Sequence, residues 1–540
     1  MRDVKKWGAL IFLSAAQFLM VLDQAVMNVA ISQLVEDFDT TVTTIQAVIA
    51  FYALVMASLM LVGGKIGDMI GRRRAFGIGL VIYAAGSATT ALSGSVVVLA
   101  FGWSVLEGVG AALVLPAMIA LVAGSYSGKD RALAYGILGG VAGAGIAVGP
   151  ILGGWATTEF SWRLVFVGEV LVALGILAGI RTIREPKSVS GVKLDWIGGV
   201  LSAGGLALTV FGVLRASTWG WLRPLDSPVE PFGFSLTPFV IAAGLMVLGG
   251  FVAWERRRER RGEQPLVHLS LLRIPTLRGG VTMLLAQNTL LMGIFFTVPL
   301  YLQVVQGLDA LETGVHMLPA SAGLFVAALV GSVLSRRFTA RLLVRIGLAV
   351  IFVAILLMLG TIEPALDSSS FMVAMGVLGV GMGLTISQLG NAVQSSVGDK
   401  DRSEAGGLQN TAMQLGSSLG TALLGAVVIT GLIAAFSSNV AENPDIPASV
   451  KNQVQVELSS GGSFVASDEV RSAAEGAGVS QSTTDLLITD YEDAQIQALK
   501  TALLFAAFLA LVSYPFTRNL PGYPLARPDS GPGDGAPARA

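Results

Sequence analysis

Long apolar runs decide what this chain can fold into. Fourteen of them reach the length of about twenty residues that a helix needs to cross a bilayer. They lie at roughly 8–32, 45–65, 75–93, 96–123, 132–155, 162–182, 195–214, 237–254, 278–302, 314–335, 342–361, 370–394, 405–435 and 497–516. In lipid every backbone N–H and C=O must be bonded within the chain, so such runs fold as helices. Composition agrees: 13% of the 540 residues are charged and 53% are hydrophobic, where a soluble domain carries about 25% charge. The fold class expected is an all-α polytopic membrane protein.

Charge sets the expected orientation. Basic residues crowd alternate connections: Arg2, Lys5 and Lys6; Lys65 and Arg72 to Arg74; Lys129 and Arg131; Arg181, Arg184, Lys187 and Lys193. The series continues with Arg256 to Arg258, Arg260 and Arg261; Arg336, Arg337, Arg341 and Arg345; and Lys400 and Arg402. The opposite connections hold only Arg163, Arg215, Arg223, Lys451, Arg471 and Lys500. By the positive-inside rule both termini are expected in the cytoplasm, with the chain in the plasma membrane.

The organisation expected is a six-helix bundle over 1–190, then two additional spans and a basic linker over 191–262. A second six-helix bundle follows over 263–518, interrupted by an outer loop at 437–496, with helical patches near Asp485–Leu499, that reads as a cap, a hairpin or a tolerated insertion. Residues 519–540 are rich in Pro, Gly and Ala and are expected to be a disordered cytoplasmic tail. The run Glu255–Arg261 reads as a topological, lipid-facing segment.

Several function classes are excluded by what the sequence lacks. The net charge of −1 offers no bulk attraction for nucleic acid, and with no cysteine there is no thiolate metal site or cysteine nucleophile. His268 and His316 are too far apart in sequence to suggest a shared metal site. Gly128-Lys129-Asp130 lacks the spacing and the Ser/Thr of a Walker A loop. No enzyme, cofactor or metal is expected. The partners expected are a small lipophilic substrate, protons and membrane lipids, with a monomer as the working unit.

Ionisable groups inside spans are costly and mark pathways by default. Asp23, Glu107 and Glu169 are the acids well inside apolar runs. Counting along the spans puts Asp23 and Glu169 in the outer half and Glu107 near mid-depth. A carboxyl that faces each aqueous side in turn can carry a proton inward as cargo leaves; a carboxyl bonded to a neighbouring helix is the structural alternative. Helical spacing groups Trp103, Ser104 and Glu107 on one face, and Met20, Asp23 and Met27 on another, surfaces that suit bulky lipophilic cations or serve as ordinary core. Tyr301, Gln303, Gln388 and Asn391 are uncharged candidates for a cavity wall, with helix–helix hydrogen bonding an equal alternative.

Two gating elements are expected. Gly145, Gly149 and Gly153 recur every four residues beside Pro150, a smooth face against which another backbone can seal, and rock or simply pack. Asp68, with Arg72 and Arg73 at the following helix start, can latch the outward-facing state, with Gly67 and Gly71 permitting a tight turn; plain positive-inside topology is the alternative for the arginines.

A faint repeat links the halves: Gly63–Leu80 echoes Gly331–Leu348, and Gly416 and Gly420 echo the glycine-rich fifth span. Three motifs in three spans then resemble those of the major facilitator superfamily, specifically its fourteen-helix drug:proton antiporters. Gly64-Lys65-Ile-Gly-Asp68-Met-Ile-Gly71-Arg72-Arg73-Arg74 resembles the superfamily's loop signature. Gly149-Pro150-Ile-Leu-Gly153-Gly154 resembles the fifth-helix antiporter signature, and Leu22-Asp23-Gln-Ala-Val-Met-Asn28-Val29-Ala30 the first-helix motif. The resemblance implies two six-helix halves plus two central helices, and proton-coupled efflux of lipophilic drugs or antibiotics by alternating access, to which the aromatic and thioether faces add a hint of cationic cargo. Export of one specific metabolite is the alternative; import, a channel and a membrane enzyme stand further off. The chain departs from the pattern with Ser104 for an arginine, Glu107 for a glutamine, Glu169 for an asparagine, Ala25 for a threonine and Ser32 for a proline.

Overall fold

The computed structural model describes residues 2–126, 128–183, 185, 194–225, 227–335, 337–398, 402–459 and 464–522. The first six spans are α1 (Arg2–Val29), α3 (Val42–Ile70), α4 (Arg72–Ala91), the continuous α5 (Val96–Leu99) and α6 (Gly108–Ser125), α7 (Gly128–Glu159) and α8 (Arg163–Gly179); a short α2 (Ile31–Asp37) follows α1. Two spans intervene, α9 (Trp196–Trp219) and α10 (Thr237–Arg260). The last six are α11 (Pro275–Leu300), α12 (Ala310–Leu334), α13 (Ala340–Leu359), α14 (Ser368–Ser395), α15 (Arg402–Glu442) and α18 (Gln481–Ser513), with α16 (Ala448–Ser459) and α17 (Ser467–Gly476) between the final pair. Among the described residues thirteen helices are long and apolar enough to cross a membrane. The fourteenth expected span, 75–93, is α4, which opens with three arginines and closes with a Ser/Thr-bearing turn.

The boundaries follow from local chemistry. Side chains of Thr41, Ser95, Asp195, Thr339, Asp367 and Ser480 each accept a hydrogen bond from a backbone N–H of the first turn that follows. Asp309 and Glu312 form a reciprocal capping box at the start of α12. Between α3 and α4 the chain turns on Gly71, whose φ of 100° suits only glycine.

The helical patches expected near Asp485–Leu499 are part of a longer helical run. The stretch 437–496 is largely helical: α15 continues to Glu442, α16 and α17 follow, and α18 begins at Gln481. Hydropathy reports only the part of a helix inside hydrocarbon. The 41 residues of α15 span about 60 Å, twice a hydrocarbon core of about 30 Å. The expected tail beyond residue 522 lies outside the described residues.

The bundle has two ends. The one carrying Arg72–Arg74, the α10 arginines and Arg341 is called the basic end; the other is the far end. Two seams join the halves, α3 against α15 and α7 against α12. Backbones touch there: a Cβ on Gly154 would strike the Ala310 carbonyl, and one on Gly314 the Pro150 carbonyl. The repeated segments 63–80 and 331–348 are matching helix–turn–helix units, α3–α4 and α12–α13, at the basic end.

The two intervening helices pack on each other, and α9 lies along the first seam. Its Leu206 and Val210 meet Leu54 of α3, while Val213 meets Ala50 of α3 and Ala422 of α15. At the basic end Asp195 accepts from Trp254 Nε1 (2.9 Å) and pairs with Arg258 (3.2 Å), and buried Glu255 accepts from Val267 N (3.1 Å). Thus only part of Glu255–Arg261 faces outward: Arg256, Arg257, Arg260 and Arg261 are exposed, whereas Glu255 and Arg258 fasten the following linker. That linker reaches α15, where His268 pairs with Glu404 (Nδ1–Oε2 2.9 Å). At the far end of the first half, Asp37 takes hydrogen bonds from Trp162 Nε1 (2.8 Å) and Arg163 Nη1 (2.6 Å), and Arg163 also reaches the Ser93 carbonyl (3.1 Å).

Candidate functional site: a buried carboxyl cluster and the seams between halves

Asp23 of α1, Glu107 and Glu169 of α8 converge inside the first half. One carboxyl oxygen from each lies within 4.8 Å of the others, and all three side chains are buried. Glu107 is aimed by a π-helical stretch, Ala100–Glu107, that joins α5 to α6. The wider π turn changes which neighbours successive side chains meet. Trp103 Nε1 donates to Asp23 Oδ1 (2.7 Å), Ser104 Oγ to the Val48 carbonyl on α3 (2.9 Å), and Glu107 Oε1 accepts from Thr90 Oγ1 (3.1 Å). Ser104 therefore bonds to the backbone of α3 and not to the carboxyls. Counting along runs separates the acids in depth; the π turn and the true helix ends bring them together.

Hydroxyls of α4 complete the surround. Tyr83 OH (3.2 Å) and Ser87 Oγ (3.1 Å) both donate to Glu169 Oε2. Tyr52 of α3 stacks on Trp103, ring centroids 4.4 Å apart and nearly parallel at 9°. Each carboxyl keeps one buried oxygen without a hydrogen-bond partner: Asp23 Oδ2, Glu107 Oε2 and Glu169 Oε1. Among the described residues no Lys, Arg or His pairs with any of the three.

The halves are held by side chains that reach backbone across the seams. Gln46 Nε2 donates to the Thr421 carbonyl (2.9 Å), Ser418 Oγ to Ala50 (2.7 Å), and Ser321 Oγ to Ile146 (2.9 Å). At the far end α1 breaks at Ala30, between Val29 and Ile31. Gln303, in a π-helical turn after α11, fills that break from the opposite half. Its Nε2 donates to the Val29 carbonyl (2.8 Å) and its Oε1 accepts from Ser32 N (3.0 Å). One amide thus serves both a donor and an acceptor at the break.

Comparison with known proteins bears on this architecture. The description of the Major Facilitator Superfamily matches residues 13–421. The chain belongs to the Major Facilitator Superfamily. This facilitator is 31% identical over 450 residues to the tetracenomycin C resistance and export protein of Streptomyces glaucescens, covering 81% of this chain and 79% of that one. It is 30% identical over 449 residues to a puromycin resistance protein of Streptomyces alboniger, covering 82% and 85%. A multidrug efflux pump of Mycolicibacterium smegmatis is 29% identical over 449 residues, covering 82% and 83%. In fold it resembles an inward-facing bacterial homologue of the lysosomal transporter Spinster, with a TM-score of 0.60 at 14% identity over 96% of this chain and 98% of that one. It is a multi-pass membrane protein with the superfamily's fold.

The remaining candidates of this facilitator are dispersed. Tyr301 is buried within the second half, its hydroxyl donating to the Glu363 carbonyl (2.9 Å). Gln388 is buried and donates to the Gly331 carbonyl (2.9 Å), joining α14 to α12, while Asn391 is exposed. Asp68 pairs with Arg72 one turn on (2.9 Å), and Arg73 turns instead to Glu185 (3.7 Å) and the Ile183 carbonyl (3.2 Å). Gly145, Gly149 and Gly153 face Val21, Ala25 and Val26 of α1, while neighbouring Gly154 and Pro150 face α12. The helix α7 runs unbroken through Pro150.

Sequence reasoning passed over Tyr52, Tyr83, Ser87 and Thr90. Tyr83, Ser87 and Thr90 fall at i, i+4 and i+7 of α4, a polar stripe on one face of a span. That spacing was the available signal. The absence of a metal-type cluster was also expected, and the fold supplies one from three separate spans.

Proposed function

We propose that this facilitator is a proton-coupled exporter of lipophilic drugs or antibiotics, cationic or neutral, working by alternating access. The observation that carries the reading is the carboxyl cluster without a countercharge; the resistance and efflux names of its relatives supply the cargo class. Three negative charges about 5 Å apart would repel by roughly 3–4 kcal/mol per pair at an effective dielectric near 20. Burial penalises them further. The cluster therefore holds positive charge in the sealed state and releases it when water enters, which is the chemistry an antiporter needs.

The seams supply the motion. Closure at the far end rests on the Gln303 amide in the break of α1 and on Leu311 N donating to Thr158 Oγ1 (3.2 Å). Opening that end breaks these bonds while contacts toward the basic end tighten. By the positive-inside rule the basic end, with both termini, is cytoplasmic, and the cargo leaves at the far end of the plasma membrane. A monomer contains the whole path.

The test is efflux from a susceptible bacterial host and uptake into inside-out vesicles with a pH dye. An uncoupler should abolish both, and Asp23→Asn or Glu107→Gln, expressed at wild-type level, should reduce transport to background. Wild-type transport by both variants would overturn the coupling assignment. A substrate panel with a single active compound would favour the second reading, an exporter of one metabolite, which the product-specific name of the tetracenomycin relative supports.

A further inference from the structure

We propose that the end of α10 is a binding site for an anionic phospholipid, whose headgroup phosphate is held by Arg256, Arg257, Arg260 and Arg261. The site belongs to the two intervening helices and stands apart from the carboxyl cluster.

The sequence puts these arginines at the level of lipid headgroups. The apolar stretch 237–254 of α10 rises about 27 Å, close to a hydrocarbon core of about 30 Å. Residues just beyond it lie where the phosphates are. The helix is also the candidate span most open to lipid. Only 11% of it is buried in protein, against 22% or more for every other.

Charge is segregated around the last turns of this helix. At about 100° per residue, the four arginines share a sector of about 140°, and all four are exposed. Glu255 and Glu259 fall on the opposite side, where both are engaged by the linker. Glu255 accepts from Val267 N (3.1 Å) and Glu259 from Ser270 N (3.2 Å). Glu263 pairs with Arg258 (3.4 Å), which also pairs with Asp195 (3.2 Å) and donates to the Gln264 carbonyl (3.1 Å). Among the described residues no acidic side chain pairs with Arg256, Arg257, Arg260 or Arg261. Orienting the span needs only positive charge near its end; it does not need the acids drawn to the inner side.

The same face has room for the rest of the lipid. Met246, Gly249, Gly250 and Ala253 lie within the arginine sector and are exposed. A Cβ on Gly249 or Gly250 would meet nothing within 4 Å. A smooth apolar surface therefore continues from the guanidinium groups toward the bilayer interior, where an acyl chain can lie. The planar guanidinium forks suit paired hydrogen bonds to phosphate oxygens. A zwitterionic headgroup brings its own cation to this cationic place, so the charge selects an anionic lipid. With a lipid outside and the linker inside, the end of α10 is fastened from both sides.

The chain has no cysteine, so a bimane on Ala253→Cys reports from this face alone. The labelled full-length protein is reconstituted in phosphatidylcholine vesicles with rising fractions of brominated phosphatidylglycerol or brominated phosphatidylcholine. Each arginine near an anionic surface favours it by about fivefold. The expected result is quenching that half-saturates at a lower fraction of phosphatidylglycerol, by roughly 25-fold if two arginines engage. A label on Val353→Cys, exposed on α13, should show no such preference. Arg257→Gln should reduce the preference about fivefold and Arg257→Gln with Arg260→Gln about 25-fold; Arg256, Arg258 and Arg261 remain to orient the span. Equal quenching by the two lipids at position 253 would overturn the proposal without recourse to an arginine variant. So would an equal preference at position 353, or one undiminished in both arginine variants. Loss of the preference in millimolar inorganic phosphate would make the ligand a free anion and overturn the lipid assignment.

Discussion

Asp37 shows how much one side chain can hold. Burial works against its charge, but the hydrogen bonds from Trp162, Arg163 and Gln33 outweigh that and keep the carboxyl below its ordinary value. A depressed carboxyl contributes stability above its unfolded value of about 4, and loses it as pH falls through the folded value. Melting temperature should therefore drop in the wild type as pH falls below about 4. Asp37→Asn should melt lower at neutral pH and respond less to that acid step; parallel curves for the two proteins would remove Asp37 from the account. At this scale the sequence was legible one residue at a time. Asp23, Glu107 and Glu169 stand out because charge in an apolar run is rare, yet nothing along the chain says that they meet. Their meeting depends on a π turn and on α4 hydroxyls, neither of which has a hydropathy signature.

Among elements, the broken first helix makes the sharpest prediction. Gln303 serves both Val29 O and Ser32 N, and proline at position 32 would have no N–H to donate. Ser32→Pro and Gln303→Leu should each loosen the far end. The chain has no cysteine, so spin labels at Glu36→Cys and Val315→Cys report without background. Their distance distribution should shift toward longer separations in both variants; an unchanged distribution would show that the clasp does not hold the halves. At the second seam Gly154→Val would drive a side chain into the Ala310 carbonyl. A loss of about 1–3 kcal/mol should appear as earlier thermal unfolding, or as halves that no longer close. The glycine stripe was readable from its spacing, but spacing does not reveal that its neighbours face two different partners. The spans themselves were legible nearly to their ends, because the bilayer imposes a length. Of the helices beyond the bilayer only the patches near Asp485–Leu499 were legible, since nothing apolar is required of them there.

For the whole molecule, the position of α9 across the seam constrains any rocking motion. Because it touches α3 of one half and α15 of the other, it must slide against at least one as the halves tilt. A disulfide or short cross-link between Leu54→Cys and Val210→Cys should leave transport measurable, and so should one between Val213→Cys and Ala422→Cys. Both together should stop it, with reduction restoring activity. Full transport by the doubly linked protein would mean that the halves do not move apart along this seam. The two-halves plan followed from a faint repeat; where the extra pair would dock did not, because apolar residues lie on both its packed and its exposed sides.

The length of α15 carries a mechanical consequence. One end of this rod is held by His268 and its middle lies in the seam, while its last turns stand clear of the bilayer with α16 and α17 attached. Over about 60 Å of helix, a tilt of some 5° displaces the tip by roughly 5 Å. The helical knob is thus a pointer at the far end of the bundle, amplifying small shifts in the buried machinery into movement that an antibody fragment or a fluorophore could follow.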